Sequence, residues 1–157
     1  MKRKLFLSLL LIVVLLMSTL TASAAKWRYM KVVVQDARVR KGPGASDIIT
    51  SLDKGTKVIC TARANKAYYK IITPGGHTGY IFRDHVKVIA SADSSKVYVT
   101  TAKANLRRNA RAGSTLIKTL KAGTFVKVLS VSGGWTHVKT VGGKKGYIRS
   151  DLLKKAG

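Results

Sequence analysis

Two kinds of hydrophobic pattern divide the chain. From Leu5 to Leu20 apolar residues run almost without a break, whereas beyond residue 25 they come in short stretches rich in Val, Ile and Thr, interrupted every several residues by Gly, Asn, Asp or Pro. Short β-branched runs closed off by turn formers argue for strands and tight reversals rather than helices. The pattern predicts strands near 31–35, 37–40, 48–52, 56–63, 67–73 and 78–82, then near 97–100, 104–107, 116–120, 124–131, 135–140 and 145–148. Lys54-Gly55 and Ala122-Gly123 fall at predicted reversals, as do Gly75-Gly76 and Gly142-Gly143. Glycine takes positive φ there without steric cost. These glycine pairs do not form a phosphate cradle, because no Lys-Ser or Lys-Thr opens a helix behind them.

The two sets of strands are copies of one another. The segment from Val32 to Val86 can be laid on the segment from Val97 to Leu152, with the matched motifs 67 to 68 residues apart. Ala37-Arg38-Val39-Arg40 matches Ala104-Asn105-Leu106-Arg107, and Leu52-Asp53-Lys54-Gly55-Thr56 matches Leu120-Lys121-Ala122-Gly123-Thr124. Tyr68-Tyr69-Lys70-Ile71 matches Trp135-Thr136-His137-Val138, and Gly79-Tyr80-Ile81 matches Gly146-Tyr147-Ile148. Between the copies, Ile89-Ala90-Ser91-Ala92-Asp93-Ser94-Ser95 is small and polar enough to read as a connector.

The apolar run has a different meaning. Lys2, Arg3 and Lys4 precede it and the small residues Ala22 and Ala24 follow it, the order of an export signal cleaved after Ala24. The run is shorter than the roughly 20 residues that usually cross a bilayer. The expected organisation is a signal peptide at 1–24, a first module at 25–90, a linker at 91–96 and a second module at 97–157. Nothing later resembles a membrane span, so the expected product is secreted, wall-associated or periplasmic.

Charge narrows the choice of partner. Three of the 30 Lys and Arg precede residue 25, so 27 face six Asp in the remainder, a net charge of +21. The cations are spread over both copies, which points to solvated faces of folded modules and to an anionic partner. Cys60 is the sole cysteine, so an exported chain has no internal disulfide and each module is held by packing. Cys60 sits in a predicted interior strand and reads as a small buried hydrophobe.

At these motifs the sequence resembles the bacterial SH3-like domain family. Ala37-Arg38-Val39-Arg40-Lys41-Gly42-Pro43 looks like the family's leucine-asparagine-valine-arginine-serine-glycine-proline opening, and Ala104-Asn105-Leu106-Arg107 repeats its first half. Leu52 to Thr56 and Leu120 to Thr124 are similar to the following leucine and lysine-glycine-threonine turn, Gly134-Trp135 to the glycine-tryptophan strand, and the two Gly-Tyr-Ile triplets to the closing motif. The resemblance covers residues 31–153 and implies an all-β fold: two tandem small SH3-like β-barrels joined by a short linker behind a cleavable signal peptide. Two departures stand out. Asn109-Ala110 replaces Gly42-Pro43 in the second copy, and Tyr68 stands where tryptophan is usual, so the copies need not share a ligand.

The resemblance implies a binding or targeting module, often attached to enzymes that cut the cell wall. This chain offers little chemistry of its own. His77, His85 and His137 are the only bases for Cys60, none placed to activate it, and the six Asp sit mostly at turn positions. Asp84 and Asp151 are expected to cap a short helical turn after the last strand of each copy. No catalytic residue, metal ligand set or cofactor is expected.

Recognition then falls to aromatics, which stack on sugar or peptide, and to cations, which meet carboxylate or phosphate. The aromatic set is Tyr68, Tyr69, Tyr80 and Phe82 in the first copy and Trp135 and Tyr147 in the second. The candidate site residues are Tyr68, Tyr69, Tyr80, Arg40 and Arg83 in the first copy, with Trp135, Tyr147, Arg107 and Arg149 in the second. The expected partner is cell-wall polymer, meaning peptidoglycan or an attached anionic glycan, or another anionic surface. An extracytoplasmic protein or extended peptide is the alternative. Purely charge-driven binding of nucleic acid or membrane ranks behind both and predicts a steep salt dependence.

Overall fold

The computed structural model describes residues 26–157, so the expected signal peptide lies outside the described residues. The first half forms β1 (Lys26–Val32), β2 (Ala37–Arg40), β3 (Ile48–Leu52), β4 (Lys57–Arg63), β5 (Tyr68–Ile72), β6 (Thr78–Phe82) and β7 (Val86–Asp93). The second forms β8 (Val97–Thr100), β9 (Ala104–Arg107), β10 (Leu116–Leu120), β11 (Phe125–Ser132), β12 (Trp135–Thr140), β13 (Lys145–Arg149) and β14 (Leu153–Lys155). Hydrogen bonding orders the first sheet β3-β2-β6-β5-β4-β1-β7 and the second β10-β9-β13-β12-β11-β8-β14, the same order with every strand advanced by seven. The repeat read from the sequence is thus a repeat of topology.

In the ladder each sheet has two edges, β3 and β7 in the first, yet it has one interior. Met30 and Val32 from β1, Ala37 and Val39 from β2, Val58 and Cys60 from β4, Ile71 from β5 and Ile81 from β6 are buried together, with Leu52 of β3 and Val86 of β7 packed against them. Strands from both edges touch the same core, so the sheet curls into a barrel closed by side chains rather than by ladder bonds. Ala104, Leu106, Leu120, Val126, Val138 and Ile148 form the corresponding core of the second module. Strand periodicity explains the choice: in β2, Ala37 and Val39 turn inward while Arg38 faces solvent. The turn glycines adopt the predicted positive φ, with Gly55 at 95° and its counterpart Gly123 at 76°.

A third apolar cluster joins the modules. Tyr29, Ile59, Ile72 and Ala92 of the first pack with Val97, Val99, Phe125 and Ala156 of the second, flanked by Trp27, Ala90 and Val141. In β1, therefore, Tyr29 faces the neighbouring module while Met30 and Val32 face the barrel interior, and Ile59 does the same between Val58 and Cys60. Gly123 sits so close to Pro74 that a Cβ there would lie 2.9 Å from the proline Cβ and carbonyl oxygen.

The expected linker is not a free segment. Residues 91–93 complete β7, which pairs with β1 from Lys26↔Asp93 to Val32↔Val86. Residues 94–96 make one 3-10 turn capped by Asp93, its Oδ1 accepting from the Ser95 backbone N–H at 2.9 Å and from the Ser95 hydroxyl at 2.7 Å. Those bonds hold the Asp93 carboxyl below its ordinary value. Small residues are needed here because Ala90 and Ala92 lie within the apolar layer between modules, where larger side chains would hold the barrels apart. Strands β7 and β14 were absent from the pattern-based reading, and β1 starts at Lys26 rather than near residue 31. The short helical turns after β6 and β13 are present at Arg83–His85 and Ser150–Leu152, but neither has a side-chain cap; Asp151 instead holds Arg149.

Tyr29 gives the layer a testable weakness. Its hydroxyl is buried without a hydrogen-bond partner, and burial pushes the phenol up to about 12 from its ordinary value of 10.0. Tyr29→Phe removes an unsatisfied polar atom and is expected to raise unfolding free energy by about 1 kcal/mol at neutral pH. Folding favours the protonated phenol, so its stabilising share is complete below pH 10 and is lost as pH rises toward 12. The gap between Tyr29→Phe and the parent, measured by urea denaturation, should widen over that window.

Candidate functional site

Outside its interior, each barrel has a groove at the same place. The first, of about 370 Å³, is lined by Asp36, Arg38, Arg40, Tyr68, Phe82 and His85. The second, of about 250 Å³, is lined by Lys103, Asn105, Arg107, Ala112, Trp135, Arg149 and Leu152. Every lining residue of the first has its counterpart 67 positions on in the second.

Local folding explains the geometry. Positions 36, 38 and 40 lie on the outward side of the chain around β2, alternating with buried Ala37 and Val39. Tyr68 and Phe82 are cross-strand partners in β5 and β6, as Trp135 and Arg149 are in β12 and β13. In the first groove the Tyr68 and Phe82 rings meet edge to face at 5.6 Å, and Phe82 meets His85 at 5.4 Å, giving a continuous aromatic wall. Opposite it, Arg40 Nη1 donates to the Ala45 carbonyl at 2.7 Å and the Ser46 carbonyl at 3.2 Å. Arg107 Nη1 donates likewise to the Ser114 carbonyl at 2.7 Å. Each arginine ties down the loop after its strand and keeps further donors for a ligand.

Of the residues expected from sequence, Arg40, Tyr68, Arg107, Trp135 and Arg149 line the grooves. Tyr69, Tyr80, Arg83 and Tyr147 do not. Tyr69 packs on the first core beneath the Arg83 guanidinium, 5.6 Å from its ring centre, while Arg83 Nη1 donates to the Lys66 carbonyl. Tyr80 lies opposite Arg40 in the β2–β6 pairing, and Tyr147 stacks on His137 at 4.7 Å. Tyr80 and Tyr147 are half-buried on the outward face of their strands, between buried Gly79 and Ile81 and between buried Gly146 and Ile148. Phe82, of the expected aromatic set, also lines the first groove. Asp36, Arg38 and His85, with Lys103, Asn105, Ala112 and Leu152, are site residues that residue type alone does not mark; reading β2 outward at period two and carrying each position forward by the repeat finds most of them. Trp27, the other tryptophan, belongs to the layer between modules.

Cys60 lies in the first core, 3% exposed, its Sγ donating to the Ala62 carbonyl at 3.4 Å, and burial pushes the thiol up. A raised, buried thiol reacts slowly, so a disulfide reagent at neutral pH is expected to leave the folded chain unmodified and to label it fully in denaturant. Among the described residues no group of three His, Cys, Asp or Glu is arranged to hold a metal ion, and no helix is long and apolar enough to cross a membrane. Only two ion pairs form among them, Lys41–Asp47 at 3.0 Å and Arg149–Asp151 at 2.7 Å, both exposed, so most of the positive charge has no carboxylate against it.

A family model for the bacterial SH3 domain matches the chain twice, at residues 35–87 and 102–154. The chain belongs to the bacterial SH3 domain family. Its two grooves are therefore features of two bacterial SH3 domains in tandem. Among solved structures it is similar to NlpC2 from Trichomonas vaginalis, at 16% identity and a TM-score of 0.36, over 82% of this chain and 48% of that one. It is also similar to an NlpC/P60 family protein from Bacillus cereus, at 12% identity and a TM-score of 0.35, over 80% of this chain and 55% of that one. The chain spans about half the length of these proteins. No curated protein matches it.

Proposed function

We propose that this tandem SH3 chain is a non-catalytic, exported binding protein that associates with cell-wall polymer, either peptidoglycan or a glycan attached to it. The observation that carries the reading is the pair of equivalent grooves, each joining a half-buried aromatic, Tyr68 or Trp135, to an anchored arginine, Arg40 or Arg107. Flat aromatic faces stack on sugar rings and peptide planes, and guanidinium donors meet carboxylate or phosphate. Two weak sites on one chain add to useful avidity on a repetitive polymer. The uncompensated positive charge would bring the chain to an anionic wall in the first place.

The test is co-sedimentation of the chain from Ala25 onward, which carries every described element, with insoluble peptidoglycan, with and without its anionic polymers, over a salt series. Binding is expected to survive about 0.15 M salt, where long-range charge effects are largely screened. Tyr68→Ala together with Trp135→Ala is expected to weaken it about tenfold, equivalent to about 1.4 kcal/mol. Complete loss of wild-type binding at that salt would overturn the reading and leave charge alone as the cause.

A further inference from the structure

We infer that the two grooves are chemically divided: that of the second module takes an anionic segment bearing phosphodiester or carboxylate groups, and that of the first takes an uncharged one. The inference rests on the wall-binding reading and adds that the chain joins two different components of the wall. It follows from comparing the linings position by position. Arg40 and Arg107 are retained, and Tyr68 and Trp135 both supply an aromatic face. Around them the chemistry changes. Asp36 becomes Lys103, Phe82 becomes Arg149, His85 becomes Leu152 and Arg38 becomes Asn105.

The exchanges have a direction. In the first lining, Arg38 and Arg40 face one acid, Asp36, a formal excess of +1. In the second, Lys103, Arg107 and Arg149 face no acid within the lining, an excess of +3. Asp151 holds Arg149 from outside the lining, through Nε at 3.1 Å and Nη2 at 2.7 Å. It offsets part of that charge, fixes the guanidinium beside Trp135 and leaves Nη1 for a ligand. The second groove still exceeds the first with Asp151 counted.

An anion entering the first groove approaches the Asp36 carboxylate, and it finds an aromatic wall of Tyr68, Phe82 and His85 where the second groove has a guanidinium. That wall, with the larger volume of about 370 Å³ against about 250 Å³, suits the faces of uncharged sugar rings or peptide units. In the second groove Trp135 offers one stacking plane ringed by cations, the arrangement that holds a charged group beside a ring.

Heteronuclear NMR on the chain from Ala25 onward, at about 0.15 M salt, tests the division. The probes are a glycerol-phosphate hexamer, a hexaglutamate peptide and an uncharged N-acetylglucosamine tetramer. The Trp135 indole N–H reports the second groove, the Tyr68 and His85 amides report the first, and the Trp27 indole in the layer between modules is the internal reference. The hexamer is expected to shift Trp135 and leave Tyr68, His85 and Trp27 in place, whereas the tetramer shifts Tyr68 and His85. A parallel shift of Trp135 by hexaglutamate assigns carboxylate as a second source of the anion; no shift by it restricts the site to phosphodiester. Lys103→Asp, at an exposed position, is expected to weaken the hexamer at least about tenfold, and Asp36→Lys to give the first groove measurable affinity for it. Equal hexamer shifts in both grooves, or an affinity unchanged by Lys103→Asp in a variant that keeps its thermal transition, overturns the division. Co-sedimentation that persists alongside such a result leaves the wall-binding reading standing, whereas its loss removes that reading independently.

Discussion

Alanine at Gly146 is expected to cost the second barrel about 3 kcal/mol, most of what a module this small has to lose. The glycine has an ordinary φ, so backbone freedom is not the reason. A Cβ there would lie 2.6 Å from the Arg107 carbonyl oxygen and 3.0 Å from the Leu106 and Ile117 Cδ1 atoms. Methyl ends can rotate away, but the carbonyl belongs to β9 at its single registered pairing with β13, Tyr147↔Arg107. Relief therefore means pulling β9 off the barrel. The first module repeats the arrangement, with a Cβ at Gly79 2.6 Å from Val39 Cγ1 and 2.9 Å from the Arg40 carbonyl oxygen. Since Arg40 and Arg107 sit at these crossings, either variant should also distort its own groove. Urea denaturation checks the cost against Gly142→Ala, where a Cβ meets nothing within 4 Å and the effect should stay within about 0.5 kcal/mol.

Phe125→Ala is expected to cost 3 to 5 kcal/mol, roughly the usual range for a buried phenylalanine, and to divide one unfolding transition into two. Phe125 is 3% exposed and belongs to the apolar layer that joins Tyr29, Ile59 and Ile72 of the first module to Val97 and Val99 of its own. With that layer intact, the modules gain stability from each other and should melt together in a calorimetric scan. Cutting the ring to a methyl opens a cavity in the layer the modules share. A parent chain that already shows two independent transitions would contradict this account.

Much of the architecture was legible because it depends on local chemistry. Glycines at reversals, alternating residues in β2 and β9, and the repeat that aligns them required no knowledge of tertiary contacts, and seven predicted strand ranges coincide with the observed ones. What failed to show was whatever a strand owes to a remote neighbour. Ala90-Ser91-Ala92-Asp93 looks like a spacer until β1 pairs with it and the second module closes over it. Trp27 and Tyr29 precede the aligned repeat, so nothing marked them as the start of a strand with two apolar faces. A signal did exist in Val58-Ile59-Cys60 and Val97-Tyr98-Val99, where consecutive rather than alternating apolar residues indicate burial on both sides.

The site divides in the same way. Tyr68, Trp135, Arg40 and Arg107 follow from residue type and repeat position. That Tyr69, Tyr80, Arg83 and Tyr147 lie outside the grooves depends on which face of each strand the barrel turns outward and on what stacks there, as His137 does on Tyr147.

The layer shared by β1, β4, β5 and β7 with β8 and β11 also bears on how such a chain can be divided. One module is the unit that the family repeats, but either module cut out alone would present to water the face now covered by the other, including Tyr29, Ile59 and Ile72 on one side or Val97, Val99 and Phe125 on the other. The smallest piece that can be grafted into a new protein without a sticky surface is the pair. A single module moved elsewhere would need another apolar surface over that face.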